Sequence, residues 1–203
     1  MLLVLAGCGD DGEATGMDDP SDQIETMSTS GTSVADSSES SDDESTGAGG
    51  AGPSYGSDED LARAAELWAS IGGDERAWQT SSAWALFPGT VALQSGMEPH
   101  GLRQTIYLDD PESSTLSEGS IIIKENYPPE GQGDDLQGVL LMTKREAGFD
   151  APHMDWFWVL YQPDGTVVDD PAFAPKPLAG AGDIPCTGCH ADAIGADFVF
   201  TND

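Results

Sequence analysis

The sequence predicts an α+β fold that is mainly β: an antiparallel sheet with an N-terminal helix and a short C-terminal helix. Three observations carry this. Four segments rich in β-branched and aromatic residues follow one another, separated by Pro and Gly turn signals. One segment ahead of them repeats its apolar residues at helical spacing. Consecutive strands joined by short turns favour antiparallel pairing over βαβ units.

The 203-residue chain divides into three regimes. Residues 1–8 (M-L-L-V-L-A-G-C) read as a truncated lipoprotein signal ending in a lipobox, Leu5-Ala6-Gly7 before Cys8. Residues 9–56 form an acidic Ser/Asp/Gly linker holding 12 acidic residues and no Lys or Arg. Such a segment cannot bury enough apolar surface to offset chain entropy, so disorder and a tethering role are expected. Residues 57–203 are the folded domain.

Within the domain, Ser57 is an expected N-cap. Asp58, Glu59 and Asp60 follow in the first turn, where they favour the helix dipole. Leu61, Ala64, Ala65, Trp68 and Ile71 then recur at helical spacing, and Gly72-Gly73 ends the element. Leu102–Asp109, Ser120–Tyr127, Leu136–Lys144 and Asp155–Tyr161 read as strands. The last is aromatic on both faces and is therefore expected to be central. Pro163-Asp164-Gly165 turns the chain into Thr166-Val167-Val168. Pro171–Gly182 reads as a loop, and a helix of about two turns is expected over Cys186–Ile194.

Charge narrows the partners. There are 37 acidic residues against seven basic, a formal net charge of −30. The excess is not confined to the linker, since residues 57–203 keep 25 acidic residues against all seven basic ones. Such a surface repels nucleic acid and anionic membranes and favours cationic partners. No apolar run reaches the ~20 residues of a membrane-spanning helix, so membrane association is expected only through a lipid anchor at Cys8.

Cys186, Cys189 and His190 form C-x-x-C-H, the attachment motif of a c-type haem. Each thiol can add across one vinyl group, and the histidine directly after the second is held under the iron as proximal ligand. A zinc site would need a second Cys or His pair at short spacing, and a thioredoxin-like dithiol would sit early in a βαβ unit; neither context is present. One covalent haem c with its iron is thus the expected cofactor, and the C-terminal helix is its binding helix. Haem c attachment implies export, which agrees with a lipidated Cys8 on a protein facing the periplasm or the cell surface.

Taken together, these pieces resemble the cytochrome P460 family. The matching segments are His100-Gly101, Leu108-Asp109-Asp110, Gly119–Glu125, Met142–Lys144, Trp156–Trp158, and the C-x-x-C-H followed by D-F-V-F-T at Asp197–Thr201. They span Trp78–Thr201, leaving the lipobox and linker outside. The resemblance implies a β-rich antiparallel fold, a periplasmic location, homodimers among the assemblies, and an unusual haem. In hydroxylamine-oxidising members a lysine is joined covalently to the porphyrin edge, and Lys124 matches that position. Related cytochromes c′-β lack the link and bind gases such as NO behind an apolar distal wall. The carboxylate of the hydroxylamine-oxidising members aligns with Leu140 here, which removes a proton acceptor and points toward the gas-binding relatives.

The residues themselves leave alternatives open. Period-two alternation sets Lys124 on one strand face with Ile122 and Asn126, opposite Ile121, Ile123 and Glu125. That face is either the solvent side or an apolar interior in which a charged lysine is costly. Met97, Met142, Met154, His100 and His153 are candidate sixth ligands. Met142 reads as core, His153 as exposed, and His100 as a turn or haem-edge residue. Trp78, Trp84, Trp156 and Trp158 read as core or haem-packing, and Lys144 and Arg145 as propionate contacts or plain surface cations. Three functions follow as expectations: oxidation of hydroxylamine or a similar small nitrogen species, gas binding, or electron transfer by a six-coordinate haem. A basic redox partner such as a soluble cytochrome suits the charge.

Overall fold

The computed structural model describes residues 54–110, 115–193 and 197–200. The expected lipid anchor at Cys8, most of the linker, and Ile194 and Thr201 lie outside the described residues.

The first helix, α1, spans Asp58–Ser70 and begins with a capping box. The Ser57 hydroxyl accepts from the Asp60 amide while the Asp60 carboxylate accepts from the Ser57 amide, so two orphan donors are satisfied at once. Two short 3₁₀ turns follow, at Gly73–Glu75 and Ala77–Gln79. The strands are β1 (Trp84–Leu86), β2 (Gln94–Ser95), β3 (Arg103–Asp109), β4 (Ile121–Tyr127), β5 (Gly138–Lys144), β6 (Trp156–Tyr161) and β7 (Ala179–Gly180). They form one seven-stranded sheet in the order β1-β3-β4-β5-β6-β7, with β2 also paired to β3. Every pairing is antiparallel. The second helix, α2, spans Pro185–His190.

The mainly β, α+β architecture is the one expected, with several corrections of detail. The strand expected from Leu136 begins at Gly138, and Thr166–Val168 contributes a single bridge, Tyr161 to Val167. The expected loop over Pro171–Gly182 contains β7, a two-residue Ala-Gly strand that propensity cannot reveal because neither residue favours extended structure. β6 is one place from the sheet edge rather than central; β4 and β5 take the middle. α2 covers fewer turns than expected, ending at His190.

Both faces of the sheet are buried, which explains the near-continuous apolar reading of β5 and β6. On one face Ile123, Val139, Leu141, Phe157, Val159 and Tyr161 pack against Ala64, Leu67 and Trp68 of α1 and Ile71, its C-cap. On the other, Ile122, Leu140, Met142, Trp156 and Trp158 meet Leu178 and Ile184, just ahead of α2. The second face carries the candidate site.

Candidate functional site

A cavity of about 310 Å³ lies between the second sheet face and α2. Cys186, Cys189 and His190 form one wall; Asn126, Gly138 and Leu140 come from β4 and β5, and His100 closes one side. Gly101 lets His100 reach this position: its φ is +75°, and a Cβ there would lie 2.9 Å from the Tyr127 carbonyl oxygen.

His190 is 5 % exposed. Its Nδ1 lies 2.7 Å from the Phe198 carbonyl oxygen. A carbonyl can only accept, so Nδ1 carries the proton and Nε2 keeps its lone pair. Three rings surround the imidazole edge-on: Trp158 at 4.8 Å, Phe200 at 5.2 Å and His100 at 5.9 Å between centroids. Burial lowers the His190 pKa to about 4, against the pull of the Phe198 carbonyl, and the nearby Lys124 charge adds to the lowering. Burial lowers His100 further, to about 2, helped by the Lys124 and His190 charges. Both imidazoles are neutral in the fold, the form that ligates a metal.

Lys124 is partly buried and has its Cα paired with those of Ile106 and Leu140. Desolvation lowers its pKa to about 8, offset in part by the Cys186 sulfur. Of the two alternatives left by the sequence, the interior face is therefore the observed one, within electrostatic range of Cys186, His100 and His190. Lys124 is not among the residues lining the cavity, whereas Leu140, 2 % exposed, is. Cys186 is a free thiol raised to about 12 by desolvation, with Lys124 pulling the other way.

The remaining candidates separate clearly. Met97 is 73 % exposed and Met154 40 %, both away from the cavity lining; Met142 is buried core. His153, expected to be exposed, is half-buried with its Nδ1 2.9 Å from the buried Asp150 carboxylate. Trp78 and Trp84 belong to the α1 face. Trp158 packs on His190, and Trp156 donates to the Asp197 carbonyl oxygen at 2.9 Å. Lys144 pairs with Asp197 and Arg145 with Glu146, so neither cation lines the cavity.

Sequence reasoning did not anticipate Asn126 and Gln137 in the cavity wall, nor the environment of Glu125. Glu125 lies wholly buried on the α1 face and accepts from Trp78 Nε1 at 3.0 Å, Gln79 Nε2 and the Tyr127 hydroxyl at 2.9 Å. Trp78 and Gln79 are brought there by folding, from 47 and 46 positions away, and alternation could indicate only that Glu125 faces away from Lys124.

The donor set suits a haem c. Two cysteines and a neutral histidine with a free Nε2 share one wall of a mostly apolar cavity. Trp158 Nε1 and Asn126 Oδ1 are buried on this side of the sheet without hydrogen-bond partners, polar atoms that a bound group can satisfy. Among the described residues no three or more His, Cys, Asp and Glu side chains gather into a metal-binding group.

The family model described as Cytochrome P460 matches residues 103–201. No curated protein matches the chain.

Proposed function

We propose, on the premise that residues 103–201 belong to the cytochrome P460 family, that the chain is an exported mono-haem cytochrome oxidising hydroxylamine or a similar small nitrogen species. Cys186 and Cys189 would hold the haem by thioethers, His190 would ligate its iron through Nε2, and Lys124 would join the porphyrin covalently. The bound haem supplies the redox chemistry; the chain supplies ligation, orientation and pocket polarity. The observation that carries this reading is His190, buried beside both cysteines with Nδ1 committed to the Phe198 carbonyl.

The residues divide the work. The Phe198 carbonyl holds the His190 proton on Nδ1. Lys124, lowered to about 8, keeps roughly a tenth of its amine neutral at pH 7, the form able to make a new bond. Leu140 excludes water from the cavity wall. Glu98 and Asp170 are the carboxylates of the lining, and Asp170 already accepts from the Ala172 amide at 3.0 Å.

Buried Leu140 favours a second reading, gas binding of the cytochrome c′-β kind, because the position that aligns with the family's carboxylate is apolar here. The optical spectrum of the ferrous protein with and without CO tests both. A high-spin spectrum that shifts on CO addition is expected. A low-spin spectrum indifferent to CO would leave only the six-coordinate electron carrier, with His100 the cavity-lining candidate for sixth ligand. Hydroxylamine-dependent reduction of a redox acceptor separates the enzyme from the gas binder.

Export and anchoring belong to the same proposal. A Cys8→Ala variant is expected to leave the membrane fraction, and unchanged retention would remove the lipid anchor.

A further inference from the structure

We infer that Lys144, Trp156 and Asp197 form a clamp that sets how strongly His190 donates through Nε2. The inference rests on the reading of His190 as haem ligand. The carbonyl that accepts the His190 proton belongs to Phe198, in a segment outside any helix or strand. Phe198 also has φ +58°, a left-handed backbone that a non-glycine residue holds only when its surroundings impose it.

Those surroundings converge on the preceding residue. The Lys144 ammonium pairs with the Asp197 carboxylate, their side chains 13 % and 33 % exposed. Trp156 Nε1 donates to the Asp197 carbonyl oxygen at 2.9 Å. The Lys144 nitrogen also lies 4.6 Å from the centre of the Trp156 ring. Lys144 and Trp156 are Cα partners across β5 and β6, so the clamp has a rigid two-strand base. Asp197 is thus held at its side chain and at its carbonyl. The next peptide is delivered with its oxygen toward His190. On the far side, the His153 ring meets the Phe198 ring edge-on at 5.7 Å.

A shorter, better aligned bond from Nδ1–H to that carbonyl makes the imidazole more electron-rich at Nε2. Outer hydrogen bonds of this kind orient a ligating histidine and raise its basicity. A pair that merely tied down a chain end would change stability and leave the iron's electronics alone.

The test uses the haem-loaded protein and two readouts apart from turnover: the Fe(III)/Fe(II) reduction potential and the Fe–His stretching frequency in the ferrous resonance Raman spectrum. Lys144→Met removes the charge and keeps the aliphatic stem. It is expected to shift the potential positive and lower the stretching frequency, with both thioether bonds retained. Lys144→Arg, which can still pair with Asp197, is expected to return both values toward wild type. A Lys144→Met holoprotein with unchanged potential and frequency overturns the inference. Should Lys144→Met fail to accumulate, Asp197→Asn and Trp156→Phe are read the same way, and wild-type values in both overturn it equally. A His190→Gly variant guards the premise: loss of the wild-type Fe–His band is expected. If the band persists, the ligand reading itself has failed and the inference falls with it.

Discussion

Lys124 on β4 and Leu140 on β5 are direct Cα partners across the sheet, on the face that carries the cavity. The pair brings together the two features that divide the proposed function. One is an amine with a depressed pKa; the other is an apolar side chain in the cavity wall.

The amine leads to the first prediction. Tryptic haem peptides are expected to carry the segment containing Lys124 as well as Cys186–His190, and mass spectrometry reads this directly. Lys124→Ala is expected to move the Soret band to an ordinary c-type position. Joining the amine nitrogen to a porphyrin carbon replaces an N–H and a C–H by a C–N bond, releasing two protons and two electrons, so an added two-electron oxidant such as peroxide has to accept the electrons. With that oxidant in excess, cross-link formation should speed up about tenfold from pH 6 to pH 7 and level off above about 8, because only the neutral amine reacts. A haem bound only by its two thioethers would remove the cross-link and favour the gas-binding reading.

Its partner yields the second. Leu140→Glu restores a carboxylate opposite Lys124. Hydroxylamine-dependent turnover is expected to rise. Folding stability is expected to fall by about 2 kcal/mol, since a carboxylate replaces a fully packed leucine. A folded variant with no gain in turnover would show that the missing carboxylate is not what limits activity.

The buried histidines predict a pH dependence in the haem-free protein. Burial holds His190 at about 4, below its ordinary 6.5, so the unfolded chain takes up a proton that the fold refuses. The stabilisation is full above about pH 6.5 and is lost as pH falls toward 4, at up to about 1.4 kcal/mol per pH unit. His100 acts in the same direction. Urea denaturation should therefore show a flatter profile between pH 6.5 and 4.5 for His190→Phe than for wild type. Parallel profiles would mean that the folded protein accommodates a charged His190.

Glu125 provides a prediction on the opposite face. Its carboxylate receives Trp78, Gln79 and Tyr127 and lies near Tyr107, whose phenol is pushed up to about 12 by burial and then by the Glu125 charge. Glu125→Ala strands buried donors and is expected to cost about 3 kcal/mol or more in chemical denaturation. Glu125→Gln retains acceptor capacity and should cost less. Equal losses would show that shape, not hydrogen bonding, governs the site.

Charge gives a kinetic prediction. With 25 acidic residues against seven basic in 57–203, association with a basic redox partner should slow as salt rises from low ionic strength. A rate indifferent to salt would discard electrostatic steering.

The sequence by itself determined what depends on local pattern. The four long strands and α1 were legible because side-chain periodicity and turn residues act over a few positions. The C-x-x-C-H set of Cys186, Cys189 and His190, proposed to hold a haem, was legible because the motif has a fixed short spacing. Alternation alone grouped Lys124 with Ile122 and Asn126, but not whether that face met solvent or interior. Tertiary structure decided this, since a second buried layer exists only once Leu178, Ile184 and α2 fold back onto the sheet. It also committed Lys144 to Asp197 and seated His100 5.9 Å from His190, pairings between residues 53 and 90 positions apart. Such contacts are products of sheet register and chain return, and no local pattern encodes them.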